Sequence, residues 1–501
     1  MNNSRNKKLA LNTIFSLILQ AVTLVCGFIL PKLILQSYGS KVNGLVNSIT
    51  QFLGVISLLD LGVGAVVQSA LYKPLAENDN DQISRIYKSC NRFFKRIAMI
   101  LLCYTVILMI CYPLLTISDF EPLFIIELIG AICISSFAQY YFGISNSLLI
   151  SADQKAYIQF IAQIITLCLN TAVSAVLIVM GSSIQIVKLV TSLIFLIRPL
   201  FLKWYVEKHY SINKNITYDE EPIKQKWNGM AQHFASYVLS STDSIVLTLL
   251  STLENVSIYS VYNMVILGVK NLLLSLTSGF HSLIGEMLAR KEIQKTKEFF
   301  SVVEWGLHTV TTFVFGCTGV LIIPFVSVYT KEIHDAEYMQ PLFAFLLTLA
   351  NAGHCFRLPY NILILSAGHY KQTQNNYIIA MMINIIVSVV TVKIWGLIGV
   401  TIGTLIAMMY QTIWMAWYNS KNIINWPFKN FVKQSITDII TSVIAAVLSG
   451  LFVLNKLTYL SWFILAVKVA LIWIAVILIV NFVFYRSHIF YFFKIIKNKF
   501  K

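Results

Sequence analysis

The sequence predicts an all-α polytopic membrane protein of about fourteen transmembrane helices: two six-helix lobes followed by two further helices. Three observations carry this expectation. Hydrophobic residues make up 57% of the 501 residues and charged residues only 12%, about half the charged share of a soluble domain. Apolar runs long enough to cross a bilayer recur along the whole chain. A seven-residue pattern near the end of one run returns, at a fixed offset, near the end of another.

The shortage of charge is decisive because a water-facing surface cannot be built from it. A lipid-facing surface can, since only the loops then need solvation. Mean hydropathy is +0.73. Apolar stretches occupy about 9–36, 43–70, 93–115, 122–150, 157–180 and 185–205. A second set lies at about 227–250, 256–285, 301–329, 339–367, 375–393 and 397–419, and a final pair at about 434–454 and 461–485. A helix satisfies its own backbone in lipid, so each stretch reads as one span. Met1 to Lys8 is basic and leads into the first run with no small-residue cleavage site, which predicts an uncleaved first span.

Lys and Arg in the connections set the orientation. One side collects Arg5, Lys7 and Lys8, Lys73 to Arg96, Lys155, Lys203 to Lys226, Arg290 to Lys297, Lys371, Lys421 to Lys433 and the tail from Arg486. The other holds little more than Lys41, Lys331, Lys393 and Lys456. Both termini are therefore expected in the cytoplasm of a cell whose plasma (inner) membrane the chain crosses, and an even number of spans agrees.

Asn146-Ser147-Leu148-Leu149-Ile150-Ser151-Ala152 closes the fourth run, and Asn361-Ile362-Leu363-Ile364-Leu365-Ser366-Ala367 closes the tenth, an offset of 215. The same offset carries runs one to six onto seven to twelve. Six spans per repeat start both halves on the same side, so the expected pseudo-two-fold axis runs along the membrane normal. The expected domains are an N-terminal lobe 1–205, a cytoplasmic linker 206–226 containing Asp219-Glu220-Glu221-Pro222, a C-terminal lobe 227–419, and two additional helices with a tail, 420–501.

Ionisable residues inside spans usually face a cavity or a partner. The candidates here are Lys32, Asp60, Lys188, Arg198, Asp243, Lys270, Glu304 and Arg357. The offset maps Lys270 onto position 56, four before Asp60, and Asp243 onto position 29, three before Lys32. Such spacings share a helix face, so spans one, two, seven and eight are expected to present charge toward one central cavity. Arg357 sits near His354 and Asn361, beside Pro359, which should kink its helix. Each has a plainer alternative. Lys32, Lys188 and Arg198 lie near span ends, where a long side chain snorkels; Asp243 also suits a structural ion pair, Glu304 a helix interface, and His354 a structural hydrogen bond. A cavity with Lys and Arg suits phosphate oxygens. Gln139, Tyr140, Tyr141 and Asn146 could meet sugar hydroxyls or other helices.

The run Leu58-Leu59-Asp60-Leu61-Gly62-Val63-Gly64-Ala65, followed by Gln68, Leu71, Tyr72, Lys73 and Pro74, is preceded by Asn12 to Leu35, Tyr38-Gly39 and Asn43-Gly44-Leu45. Together they resemble polysaccharide-repeat flippases of the MOP exporter superfamily, the Wzx-like O-antigen and capsule transporters. The resemblance implies two six-helix lobes around a cleft. It implies transport of an undecaprenyl-diphosphate-linked oligosaccharide from the cytoplasmic to the outer leaflet. Asp60 matches the family's acidic position in span two, and Lys270 matches in type a cationic residue of the related lipid II flippases. The substrate-binding set expected from these arguments is Asp60, Lys270, Arg357, Asp243, Lys32 and Arg198.

Other classes fit less well. A multidrug exporter of the same superfamily, moving organic cations, calls for an acidic cavity. A major-facilitator exporter calls for a basic G-x-x-x-D-R motif that residues 71–92 do not contain. A membrane-embedded polysaccharide polymerase or glycosyltransferase needs large external loops, and the longest candidate runs only from Thr330 to Gln340. Nucleic acid is not an expected partner, since the net charge of +16 lies between apolar runs. The eight cysteines form no CxxC pair, so neither a metal site nor a disulfide framework is expected. No cofactor is expected beyond a coupling ion, H+ or Na+. Membrane lipids, a polysaccharide polymerase and glycosyltransferases are the expected partners.

Overall fold

The computed structural model describes residues 2–60, 62–115, 119–213, 215–217 and 230–489. Leu61 of the Asp-Leu-Gly run, Lys214, the acidic linker Asp219–Pro222, Lys224, Lys226 and tail residues Lys494 to Lys501 lie outside them. Every regular element among the described residues is helical. The chain divides into two compact units, Met1–Phe234 and Ala235–Lys501.

The N-terminal unit opens with α1 (Asn2–Gly54), 53 residues long. At 1.5 Å per residue that is about 80 Å, more than twice a bilayer core of about 30 Å. The helix breaks at Gly39, with φ 82 and ψ 176, a conformation glycine adopts without a Cβ clash. The first span and the start of the second lie on either side. Tyr38 donates to Ser182 O at 2.5 Å and Lys41 pairs with Asp119 at 2.8 Å, tying this bend to the connections between later helices.

The second span is itself broken. A 3-10 turn (Val55–Leu59) ends at Asp60, Gly62 takes φ 77, and α2 (Val63–Glu77) restarts the helix. The Asp-Leu-Gly run is thus a break within a span. Next come α3 (Asn80–Leu115), α4 (Pro122–Ala138), a π-helical turn (Gln139–Gly143), α5 (Ile144–Ala152), α6 (Ala156–Val179) and α7 (Ile184–His209). α1 packs on α6, α4 on α7, and α6 on α7.

At the end of the unit opposite Lys41, Asp153 in the α5–α6 turn gathers three groups. Lys155 lies at 2.7 Å, Tyr210 donates at 2.7 Å and Lys8 reaches it at 3.2 Å. Burial pushes this carboxyl upward, but hydrogen bonds from Lys155 and Tyr210 and the charges of Lys155 and Lys8 outweigh it, so it sits below the usual carboxylate range. A depressed folded value stabilises above the ordinary value of about 3.9 and is lost as pH falls through the lower folded one. Asp153→Asn is therefore expected to lower the melting temperature at neutral pH. That deficit should shrink toward zero below about pH 4, measured by thermal unfolding in detergent.

In the C-terminal unit, α8 (Met230–Leu250) crosses the unit boundary. It is followed by α9 (Leu253–Ala289), α10 (Ile293–Tyr329), α11 (Pro341–Phe356), α12 (Leu358–Ser366), α13 (Tyr370–Trp395) and α14 (Leu397–Asn422). The last pair, α15 (Phe428–Ser449) and α16 (Tyr459–Phe484), packs against α10. Trp473, Val469, Ala445 and Leu321 form the core of that contact. α13 and α14 make a tight hairpin: Gly399 and Gly403, spaced as small-x-x-x-small, let the backbones approach. An added Cβ would lie 2.5 Å from Thr391 O at Gly399 and 2.9 Å from Asn384 O at Gly403.

Among the described residues, eleven helices are long and apolar enough to cross a membrane. The fourteen expected spans follow from how the others fall short. Ala10–Leu59 is 50 residues and holds one span plus the start of the next; Phe234–Leu250 is a shorter apolar helix. The tenth span is divided into α11 and α12 at Arg357.

The repeated pattern marks a repeated break. The fourth span is interrupted at Gln139–Gly143 and the tenth at Arg357, the position that the offset of 215 derives from Phe142. The two asparagines of the pattern play matching parts: Tyr87 donates to Asn146 at 2.8 Å, and Tyr377 to Asn361 at 2.5 Å. The cysteines form no disulfide, and Cys103, Cys111 and Cys168 are exposed on spanning helices.

A candidate substrate cavity in the C-terminal unit

Pro359 sets the local structure of the site. It has no N–H to donate back along the helix, so α11 ends and α12 begins around Arg357. α14 covers the polar backbone near the break: Thr412 donates to Gly353 O at 2.9 Å and Asn419 to Tyr360 O at 3.0 Å. Arg357 is thereby fixed beside the break and is 5% exposed. Its guanidinium donates to His354 Nδ1 at 3.1 Å and lies 5.9 Å from the Tyr377 ring centroid. An arginine only donates, so His354 accepts through a neutral Nδ1.

Arg357, His354, Lys270 and Asp243 line one cavity together with Tyr259, Asn263, Asn351 and Thr404, and apolar Leu239, Leu267 and Met408. Lys270 comes from α9 and Asp243 from α8. The carboxylate does not pair with either cation. Asp243 accepts from Thr404 Oγ1 at 2.7 Å and 2.9 Å, and from Tyr259 at 3.2 Å. Thr404 in turn accepts from Asn384 at 2.9 Å. Lys270 has no hydrogen bond or ion pair among the described residues, and Arg357 Nε is buried without a partner.

Two cations in one cavity, neither with a carboxylate partner among the described residues, are costly at membrane depth unless an anion joins them. Lys supplies a point charge and Arg a planar fork, the two geometries that grip phosphate oxygens. The neighbouring Asn263 and Asn351 add neutral donors.

Three of the six expected site residues therefore meet: Asp243, Lys270 and Arg357. Asp60, Lys32 and Arg198 belong to the N-terminal unit. Asp60 caps the 3-10 turn at the span-two break, with Oδ1 buried and without a partner among the described residues. Arg198 precedes Pro199 in α7 and its Nε is likewise buried and unpartnered. Lys32 follows Pro31 in α1 and is half-buried. Glu304 does not belong to the cavity; it joins a separate polar cluster beneath α15. Tyr259, Asn384 and Thr404, which hold Asp243, carry no sequence signal of their own.

No protein-family model matches the chain, and no curated protein matches it. Solved structures do share the fold. The chain is similar to the lipid II flippase MurJ in an inward closed conformation, with a TM-score of 0.69 and 15% identity over 96% of this chain and 100% of that one. It is similar to a multidrug resistance MATE family transporter of the MOP superfamily, inward-facing, with a TM-score of 0.64 and 14% identity over 80% of this chain and 94% of that one. The Vibrio cholerae MATE transporter VcmN in the bent form matches at a TM-score of 0.56 and 14% identity, over 84% of this chain and 98% of that one. The protein thus has the polytopic helical fold of MurJ- and MATE-type transporters.

Proposed function

We propose that the protein is a flippase of the MOP exporter type. It moves undecaprenyl-diphosphate-linked oligosaccharide repeat units from the cytoplasmic to the outer leaflet of the bacterial plasma membrane, by alternating access, for cell-surface polysaccharide synthesis. The observation that carries this reading is the cavity with Lys270 and Arg357 and, among the described residues, no carboxylate paired to either. A diphosphate must leave water to cross, and cations in a low-dielectric cavity offset that cost. The carbohydrate would meet the polar rim while the polyprenyl tail stays among membrane lipids. A polysaccharide polymerase and glycosyltransferases would act on the same lipid-linked unit on either side of this step.

The same cavity chemistry also suits lipid II, which presents a lipid-linked diphosphate and is the substrate named for the MurJ structure. The two separate by glycan, and side-by-side flipping assays distinguish them. Organic cations suit this cavity less, because its one carboxylate is already occupied by two hydroxyls.

Orientation is tested independently. Cysteines placed at 41 and 331 in a cysteine-free background are expected to react with an impermeant thiol reagent in intact cells, and one placed at 371 is not. All three positions are exposed. The reverse pattern would overturn the cytoplasmic assignment of the termini.

A further inference from the structure

The C-terminal unit holds a second set of buried ionisable groups, outside the cavity. Glu304 and His308 stand one turn apart on α10, Tyr360 lies on α12 and Asp438 on α15. They are 4%, 1%, 0% and 7% exposed. Tyr360 donates to Glu304 Oε1 at 2.6 Å and Trp426 Nε1 to Glu304 Oε2 at 2.9 Å. His308 Nδ1 lies 2.7 Å from Asp438 Oδ2, while Thr312 and Gln434 each donate to Asp438 Oδ1 at 3.1 Å. His308 Nε2 faces the Tyr360 oxygen at 3.3 Å.

This pattern assigns most of the protons. Glu304 receives two donors and Asp438 three, so both are held as carboxylates, and His308 keeps a proton on Nδ1. Two carboxylates then stand in a membrane-embedded site. Among the described residues neither has a Lys or Arg partner; the His308–Asp438 contact is their one ion pair. The other charged groups nearby turn elsewhere. Lys433 on α15 donates to Phe484 O at 3.1 Å and lies 4.5 Å from the Tyr485 ring centroid; His488 bonds Ser301 at 2.9 Å. Arg357 and His354 face the cavity. Tyr485, the remaining titratable neighbour, carries no charge as a phenol.

Two like charges this deeply buried are unfavourable, and one added proton relieves both. Its place is His308 Nε2. Protonated there, the imidazolium donates to Asp438 through Nδ1 and to the Tyr360 oxygen through Nε2, while Tyr360 still donates to Glu304. We infer that Glu304, His308, Tyr360 and Asp438 form an exchangeable proton-binding site, with the proton on His308 Nε2 and the 10%-exposed Asp438 side chain as its contact with the outside. Proton binding tightens the hold of α15 on α10 and α12, and release leaves Glu304 and Asp438 mutually repelling. Tyr360 stands three residues beyond Arg357 in the same broken span, so the change reaches the cavity wall. The link to transport rests on the proposed function; the proton site itself does not.

The test is nitrogen NMR of purified protein in lipid nanodiscs, with histidine side chains isotopically labelled, across about pH 5 to 9. One histidine is expected to pass between the doubly protonated form and the Nδ1–H neutral form. That signal should vanish in His308→Gln and titrate in a different range in Asp438→Asn, which retains the imidazole if the first variant fails to fold. A His308 signal that keeps one protonation form throughout, in the wild type and in Asp438→Asn, would reduce the cluster to a fixed structural network and overturn the inference. A pH-dependent His308 without any flipping activity would leave the proton site standing and remove the transport reading alone.

Discussion

Replacing Lys270 with alanine is expected to abolish surface polysaccharide while the protein remains inserted and abundant. Among the described residues the lysine makes no hydrogen bond or ion pair that its removal would break, so stability should hardly change. What is lost is a charged contact to substrate phosphate. Such a contact is worth about 1.5–3 kcal/mol, or roughly ten- to a hundredfold in affinity. Arg357→Ala should cost at least as much, because it removes the fork and its packing on Tyr377 together. The double variant should likewise export none. Lys270→Arg keeps the charge and should retain part of the activity. Export assays with membrane abundance measured in parallel check all four. Normal export by both single variants and the double would make these cations structural and the cationic-cavity mechanism wrong.

A large stability effect is expected at Gly403. Its Cα faces the α13 backbone, and an added Cβ would meet Asn384 O at 2.9 Å and the Ser388 hydroxyl still closer. Backbone cannot move aside as a flexible side chain can. Gly403→Val should therefore push α13 and α14 apart at a cost of about 3 kcal/mol or more. The hairpin also positions Thr404 and Asn384, so the Asp243 network should loosen with it. Thermal unfolding in detergent is the readout, with a large drop expected for Gly403→Val. An unchanged melting temperature would mean the hairpin is not close-packed there.

The architecture was legible because lipid imposes it. Each apolar run had to become a helix, and the offset between Asn146 and Asn361 pairs the two spans that the structure shows broken, of which only the kink at Pro359 is legible in the residues. The break at the Asp-Leu-Gly run, where Gly62 takes φ 77, falls inside the apolar stretch 43–70 and leaves no mark in its hydropathy. The meeting of Asp243, Lys270 and Arg357 was only partly legible. Span position placed each charge at membrane depth. Which helices share a wall depends on packing, and neither Thr404 nor Asn384 is unusual in a membrane helix. Asp438 escaped for a different reason: α15 lies outside the repeat, so no offset could pair it with His308. The Gly399–Gly403 spacing stands in the sequence, but its meaning depends on the partner helix, which only the hairpin supplies.

The central claim is that this protein moves a lipid-linked diphosphate glycan, and reconstitution tests it most directly. Purified protein in proteoliposomes is loaded with a fluorescent undecaprenyl-diphosphate oligosaccharide, and its appearance in the opposite leaflet is followed with a membrane-impermeant quencher. The account predicts protein-dependent translocation that Lys270→Ala and Arg357→Ala remove, with no comparable movement of a lipophilic cation. Translocation of the cation but not of the diphosphate glycan would contradict it.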